Sequence, residues 1–108
     1  MIKSLAELDH VKRNYPITFS PFKIKNVELP NRVVYPPWVV NFAKDGKVTE
    51  EITLFYRKMA EGGTGMITVG AAGIASEVPP GYEGVLRIDT EDCIPGMKGL
   101  FDLLKGYG

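Results

Sequence analysis

Few side chains in this sequence are of a type and spacing that does chemistry. Tyr35-Pro36-Pro37-Trp38-Val39 closes an apolar, β-prone run with a double proline and an indole, and Gly70-Ala71-Ala72-Gly73 closes a second run in small residues. If both runs are strands of a parallel sheet, these stretches lie at strand carboxyl ends, where α/β folds bind their ligands. On the residues alone a plainer role competes strongly: the prolines end a strand and the small residues permit tight packing. Cys93 stands beside a helix start, a setting that lowers a thiol pKa, but an inert thiol is the simpler reading. Tyr35 and Tyr82 could donate hydroxyls, but a tyrosine more often packs with its hydroxyl in water. Glu50-Glu51 and Glu91-Asp92 pair carboxylates in sequence only and read as charge at helix amino termini. His10 lies among charged residues and reads as a solvated surface histidine.

The elements that must position these residues alternate. Residues 4 to 13 read as a short docking helix, with Ser4 and Glu7 as a capping box, Leu5, Leu8 and Val11 on one side, and Asn14-Tyr15-Pro16 as its stop. Phe22 to Leu29 alternates around Lys25-Asn26, predicting a hairpin with Asn26 in the positive-φ position. Residues 32 to 36 read as a strand buried on both faces that ends where the prolines begin. After the turn signal Asp45-Gly46, Thr49 caps a helix on which Ile52, Phe55, Tyr56, Met59 and Ala60 recur at helical spacing, and Gly62-Gly63 closes it. Gly65 to Gly73 reads as a second buried strand. The order strand, helix, strand is a βαβ unit, expected to place the two strands side by side and parallel. Residues 74 to 89, with Pro79-Pro80-Gly81, read as loop. A last helix opens at Asp92, with Pro95 in its first turn and Ile94, Met97, Leu100, Phe101 and Leu104 on its apolar face.

Composition bounds the function. The chain has 108 residues, thirteen basic and thirteen acidic side chains and 44% hydrophobic residues, which suits one modest globular domain and argues against a nucleic-acid footprint or a polybasic membrane anchor. One cysteine and one histidine exclude an internal disulfide and leave too few ligands for a zinc or iron–sulfur site. No apolar stretch reaches the roughly 20 residues that span a bilayer, and no secretory leader is evident, so a cytoplasmic setting is expected. Neither GxGxxG nor a Walker A pattern is present.

The blocks Phe19-Ser20-Pro21-Phe22-Lys23-Ile24, Val27-Glu28-Leu29-Pro30-Asn31-Arg32-Val33-Val34, Asp45-Gly46-Lys47-Val48-Thr49-Glu50, Phe55-Tyr56 and Ala60-Glu61-Gly62-Gly63-Thr64-Gly65-Met66-Ile67 together resemble the amino-terminal part of the old yellow enzyme family. That family includes NADH:flavin oxidoreductases and 2,4-dienoyl-CoA reductases. The resemblance implies an α/β fold, the leading portion of an FMN-binding (β/α)₈ barrel: residues 1–17 a docking helix and linker, and residues 18–108 the floor hairpin with the first two barrel strands and their helices. A full barrel needs roughly 250 residues, so the chain reads as a portion that stops where a third strand is expected.

By the same resemblance, Pro36, Pro37, Trp38 and Val39 would edge the flavin, Ala71 would lie close to it, and Asn41 would contact substrate. A small residue at a strand top lets a flat cofactor approach the backbone, and paired prolines stiffen the loop beneath it. Trp38 reads equally as a flavin neighbour, a substrate-pocket wall or core. Val39 cannot donate the hydrogen bond that a Cys or Thr gives the flavin carbonyl in many relatives, and Gly70 stands where many carry Glu. In the complete enzyme, hydride would pass from NAD(P)H to FMN N5 and on to an activated alkene or enoyl substrate. The family's substrate-anchoring, proton-donating and phosphate-binding residues come from later strands, so this chain alone should be inactive and bind FMN weakly or not at all. The alternative is a non-catalytic folding or interaction module, or a partial barrel that self-associates, because two strands leave open edges and little sheet for the helices to cover.

Overall fold

A computed structural model describes residues 5–75 and 83–107. The elements, in chain order, are α1 (Leu5–Asn14), β1 (Phe22–Ile24), β2 (Val27–Leu29), β3 (Val34–Trp38), α2 (Glu50–Glu61), β4 (Met66–Val69), β5 (Ala72–Gly73), β6 (Leu86–Arg87), a 3₁₀ turn at Glu91–Cys93 and α3 (Ile94–Lys105). Among the described residues these strands form three two-stranded sheets: β1 with β2, β3 with β4, and β5 with β6. Ser4, Tyr82 and Pro79-Pro80-Gly81 lie outside the described residues.

The expected βαβ unit is present, with β3 and β4 parallel and Val34 opposite Met66, Tyr35 opposite Ile67 and Trp38 opposite Val69. The strand does not stop at the prolines. Between the last two pairs β3 advances three residues and β4 two, so Pro36 and Pro37 fall in a bulge where the ladder is broken anyway and their missing N–H groups cost nothing. Nor is β3 buried on both faces: Val34 is 48% exposed and Trp38 67% exposed. Tyr35, Ile67 and Val69 pack towards the helices, and alternation turns Val34, Met66 and Thr68 to the other side, where Val34 and Met66 are exposed and Thr68 is half-buried.

Thr49 caps α2 as expected, its hydroxyl accepting from the Ile52 N–H at 3.3 Å, with Glu50 and Glu51 in the first turn. Gly63, at φ +81°, supplies the left-handed residue that ends it. The buried centre is Ile52, Tyr56, Leu86 and Leu100, where α2, β6 and α3 meet. Leu86 was not expected there. The loop read over residues 74 to 89 contains β6, which pairs in parallel with β5, Ala72 opposite Leu86 and Gly73 opposite Arg87. The second run therefore divides into β4 and β5 at Gly70-Ala71.

Turns follow local chemistry with one change. Asp45 and Gly46 both take positive φ, 52° and 74°, in a two-residue turn bridged by Lys44 and Lys47. In the β1–β2 hairpin the positive φ falls on Lys25 at 52°, not on Asn26. Arg32 holds that hairpin, stacking 4.9 Å over the Phe22 ring and donating Nε to Ser20 Oγ at 3.2 Å.

Asn31, the buried polar residue of the described chain, ties the start of β3 to the end of α2. Its Nδ2 donates to the Gly63 carbonyl at 2.8 Å while its Oδ1 accepts from the Val33 N–H at 2.9 Å. Replacing Asn31 by Ala strands both backbone groups, and urea unfolding should show a loss of about 2 to 4 kcal/mol; a loss within error would remove this role. Elsewhere, the Lys47 ammonium donates to Asp92 at 2.8 Å and, with the Thr90 hydroxyl, holds the Asp92 carboxyl down to about 2. The folded pKa lies below the unfolded value of about 3.9, so this stabilisation is complete above that value and disappears as pH falls towards 2. Both partners are largely exposed, so the effect is small. Thermal melts at pH 5 and pH 2.5 should differ less in Asp92→Asn than in the parent chain.

Candidate functional site

The carboxyl ends of β3 and β4 meet, and the meeting is closer than most side chains allow. A Cβ on Gly70 would sit 2.3 Å from the Trp38 carbonyl oxygen, so only glycine lets the two strand-end loops touch. From behind, the Gly70 N–H donates to Tyr56 Oη at 3.0 Å. Tyr56 is 1% exposed in the middle of α2, and its phenol gives a buried hydroxyl and a buried amide each a partner. Helical spacing marks Tyr56 as inward-facing but is silent on this bond, so its polar part in the site was not legible.

Around that seam the expected site residues come together at the surface. Trp38, Val39, Asn41 and Ala71 line one narrow crevice with Gly70 and Gly84. Pro36, Pro37, Trp38, Asn41 and Ala71 are exposed and Val39 half-buried. Asn41 holds φ at 54°, and a Cβ on Gly84 would lie 2.4 Å from its carbonyl oxygen, so a third segment closes on the same loop. The Ala43 N–H donates to the Gly84 carbonyl at 2.9 Å. On the helix side of β3, a recess of about 380 Å³ is walled by Tyr35, Pro36, Trp38, Phe42 and Phe55. The rings of Tyr35 and Phe55, and of Phe42 and Phe55, meet edge to face with centroids 5.9 and 6.3 Å apart. The arrangement offers an apolar margin with backbone accessible at its rim, and the phenols of Tyr35 and Tyr56 border it from the helix side. It can hold an aromatic plane.

The remaining candidates lie elsewhere. Cys93 is buried at the start of α3 with the Thr90 hydroxyl at 3.5 Å. His10 is exposed on α1 and shares a hydrogen bond with Asn14 Nδ2 at 2.9 Å. Arg87 and Asp89 form a half-buried ion pair, Nε to Oδ1 at 2.9 Å, in which hydrogen bonding from the guanidinium holds the Asp89 carboxyl below its ordinary range. Arg87 also closes over Gly46, where no Cβ would fit. Among the described residues no group of three or more His, Cys, Asp or Glu is placed to hold a metal ion, and no helix is long and apolar enough to cross a membrane.

The family model described as NADH:flavin oxidoreductase / NADH oxidase matches residues 18–108. A metal reductase of Desulforamulus reducens is 36% identical over 92 residues, 85% of this chain and 14% of its own length. An NADPH dehydrogenase of Listeria welshimeri is 34% identical over 92 residues, 83% of this chain and 27% of its own. Of solved structures, 2-naphthoyl-CoA reductase in complex with 2-naphthoyl-CoA superposes with a TM-score of 0.78 at 30% identity, over 87% of this chain and 14% of that one. Morphinone reductase in complex with tetrahydroNAD gives 0.73 at 25% identity, over 84% and 24%. The chain thus spans 14% to 27% of the length of these two curated relatives.

Two substitutions separate the halves of the seam. Tyr56→Phe removes the acceptor behind Gly70 and should cost about 1 to 2 kcal/mol in urea unfolding, with the emission of the sole tryptophan, Trp38, little changed. Gly70→Ala drives a methyl into the Trp38 carbonyl and should cost about 2 to 3 kcal/mol while also shifting that emission. Equal emission spectra in the two variants would mean that the loops do not touch.

Proposed function

Because this chain belongs to the NADH:flavin oxidoreductase / NADH oxidase family, the old yellow enzyme family, through its amino-terminal part, we propose that β3 and β4 build one margin of the flavin seat of an FMN-dependent oxidoreductase. The observation that carries this reading is the seam itself. Two parallel strands end together, glycine brings their loops into contact, and an apolar rim of Pro36, Pro37, Trp38, Val39 and Ala71 is left facing outward. Those residues fit the edge of a flat aromatic ring: they are apolar, mostly exposed and stiffened by two prolines. Val39 brings no side-chain donor to the ring.

On this reading β3, α2, β4 and α3 are the first two strand–helix units of a (β/α)₈ barrel and β1–β2 is its floor hairpin. Residues 1–17 form a separate docking segment, a division supported by a family match that begins at residue 18. Bound FMN would supply hydride chemistry between NAD(P)H and an activated alkene or enoyl substrate, as expected of an ene-reductase. The chain's own part is to hold the ring edge at Trp38–Val39 and Ala71, to exclude water from it, and to present Asn41 to substrate. The described residues provide no basic cluster for a phosphate at this rim, so FMN affinity in the 108-residue chain is weak and turnover is absent. One cysteine, buried and reduced, accords with a cytoplasmic setting.

A second reading, a self-associating partial barrel without catalysis, is favoured by one observation: among the described residues β3 and β4 pair only with each other. The flavin reading is tested by titrating FMN into the chain while following Trp38 fluorescence and backbone amide NMR shifts. Quenching with a dissociation constant of about 1 mM, and shifts confined to residues 38–41 and 70–72, are expected. Shifts elsewhere, or none, would overturn the margin; a purified protein already yellow with stoichiometric FMN would overturn the weak affinity.

A further inference from the structure

We infer that Arg87, locked by Asp89, is a positioning residue: through Gly46 and the strap formed by residues 84–88 it sets the backbone of Asn41, the amide-bearing side chain of the rim. The geometry stands without a flavin, and its consequence for substrate rests on the flavin-margin reading.

Residues 84–88 lie between the two strand-end loops and bond to both. On one flank the Gly84 carbonyl accepts from the Ala43 N–H at 2.9 Å and the Arg87 N–H donates to the Gly46 carbonyl at 2.8 Å. On the other flank β6 pairs with β5, and the Ile88 N–H donates to the Gly73 carbonyl at 2.9 Å. The strap is fixed from within, since Val85 and Leu86 are buried and Leu86 belongs to the core with Ile52, Tyr56 and Leu100. Alternation then turns Arg87 to the opposite side, where its stem covers Gly46 so closely that a Cβ there would lie 2.4 Å from Arg87 Cδ. The stem is held by two bonds from one guanidinium to one carboxylate, Nε to Oδ1 at 2.9 Å and Nη2 to Oδ2, and the Asp89 side chain is only 7% exposed. Such a bidentate pair fixes orientation as well as distance, and truncating one partner leaves the other charge uncompensated.

Asn41 needs this support. Its φ of 54° lies in the left-handed region, which a residue with a Cβ keeps only where its surroundings hold it. On one side the Thr49 hydroxyl donates to the neighbouring Phe42 carbonyl at 2.7 Å, which ties that residue to the cap of α2. On the other, Gly84 approaches until a Cβ would be 2.4 Å from the Asn41 carbonyl oxygen. Loosening the strap therefore releases Asn41, while the contact of Gly70 with Trp38, supported by Tyr56, stays in place.

The test is NMR on the 108-residue chain, on Arg87→Ala and on Arg87→Lys, all without FMN. In the parent, Asn41 should give the strong intraresidue NOE between amide and α protons that marks a left-handed residue, and the amides of Ala43 and residue 87 should be protected from exchange. Arg87→Ala should speed the exchange of both about tenfold and weaken the Asn41 NOE, with the Phe55 and Tyr56 amides of α2 and the Trp38 emission unchanged. Arg87→Lys keeps the stem and one charge-assisted bond, and should bring Ala43 exchange back to within about threefold of the parent. Unchanged Ala43 exchange in Arg87→Ala overturns the role, as does a parent in which Ala43 and residue 87 exchange at unfolded-chain rates. Exchange that quickens equally in α2 makes Arg87 a general stabiliser and overturns positioning, and a lysine variant as fast as the alanine one overturns the stem as the lever. If FMN fails to shift residues 38–41 and 70–72 while these responses hold, the flavin margin falls and the strap stands.

Discussion

The parallel pairing of β3 with β4 is the constraint from which the rest of the structure follows. Parallel neighbours cannot be joined by a tight turn, so the chain must leave the end of β3, cross, and return to its beginning. The twelve residues of α2 make a rod of about 18 Å, slightly longer than a strand of five residues at about 17 Å. The return must therefore be abrupt, and Gly62, Gly63 and Gly65 make it so. A Cβ on Gly65 would lie 2.5 Å from the Asn31 carbonyl oxygen, which places the start of β4 hard against the start of β3. Asn31 locks that end and the contact of Gly70 with Trp38 locks the other. Register is then fixed at both ends of a ladder whose middle is interrupted by a bulge.

The two locks differ in kind. At the amino end a side-chain amide replaces backbone partners that strand and helix geometry cannot supply, since the Gly63 carbonyl lies beyond the last helical turn and the Val33 N–H precedes the first ladder bond. At the carboxyl end the contact is steric, and the polar component comes from the helix through Tyr56. A site margin supported from behind by a helix residue 1% exposed is held by the core, not by its own loop. That is how an exposed rim keeps one conformation: its position is determined by Ile52, Tyr56 and Leu100, none of which reaches the surface there.

What the sequence revealed tracks how many residues each signal spans. The twelve-residue helix α2 has a cap, an acidic first turn, an apolar stripe and a glycine stop, and all agree. The parallel strands were legible because two apolar runs flank that helix. Two-residue strands were not: β6 is Leu86–Arg87 alone, too short for any period, and it becomes a strand only because Arg87 N–H reaches the Gly46 carbonyl at 2.8 Å and Ile88 N–H the Gly73 carbonyl at 2.9 Å. The prolines misled for a related reason. Their lack of a donor forbids a ladder bond, but whether a bond is needed there depends on register with β4, which is a tertiary fact. In the site, four consecutive small residues looked alike; only the folded chain distinguishes Gly70, which meets a carbonyl, from Ala71, which faces out.

The distribution of charge and apolar surface shows which sides of the molecule are finished. The outer face of α2 carries Arg57 and Lys58, both hydrogen-bonded to Glu61 at 2.8 and 2.9 Å, and α3 pairs Lys98 with Asp102. Such i,i+3 and i,i+4 pairs are the ordinary dressing of helices that face water. The hairpin and the sheet have no such dressing: Phe22, Ile24, Val27, Val34, Trp38 and Met66 are all between 38% and 67% exposed. Isolated apolar side chains on a surface need no explanation, and Leu54, Ile94 and Phe101 are such cases on the helices; on the hairpin and on β3 and β4 they are neighbours, with no ion pair among them. A two-layer α/β unit covered on one side only leaves the Val34–Met66 face and the rim at Trp38 and Ala71 exposed together.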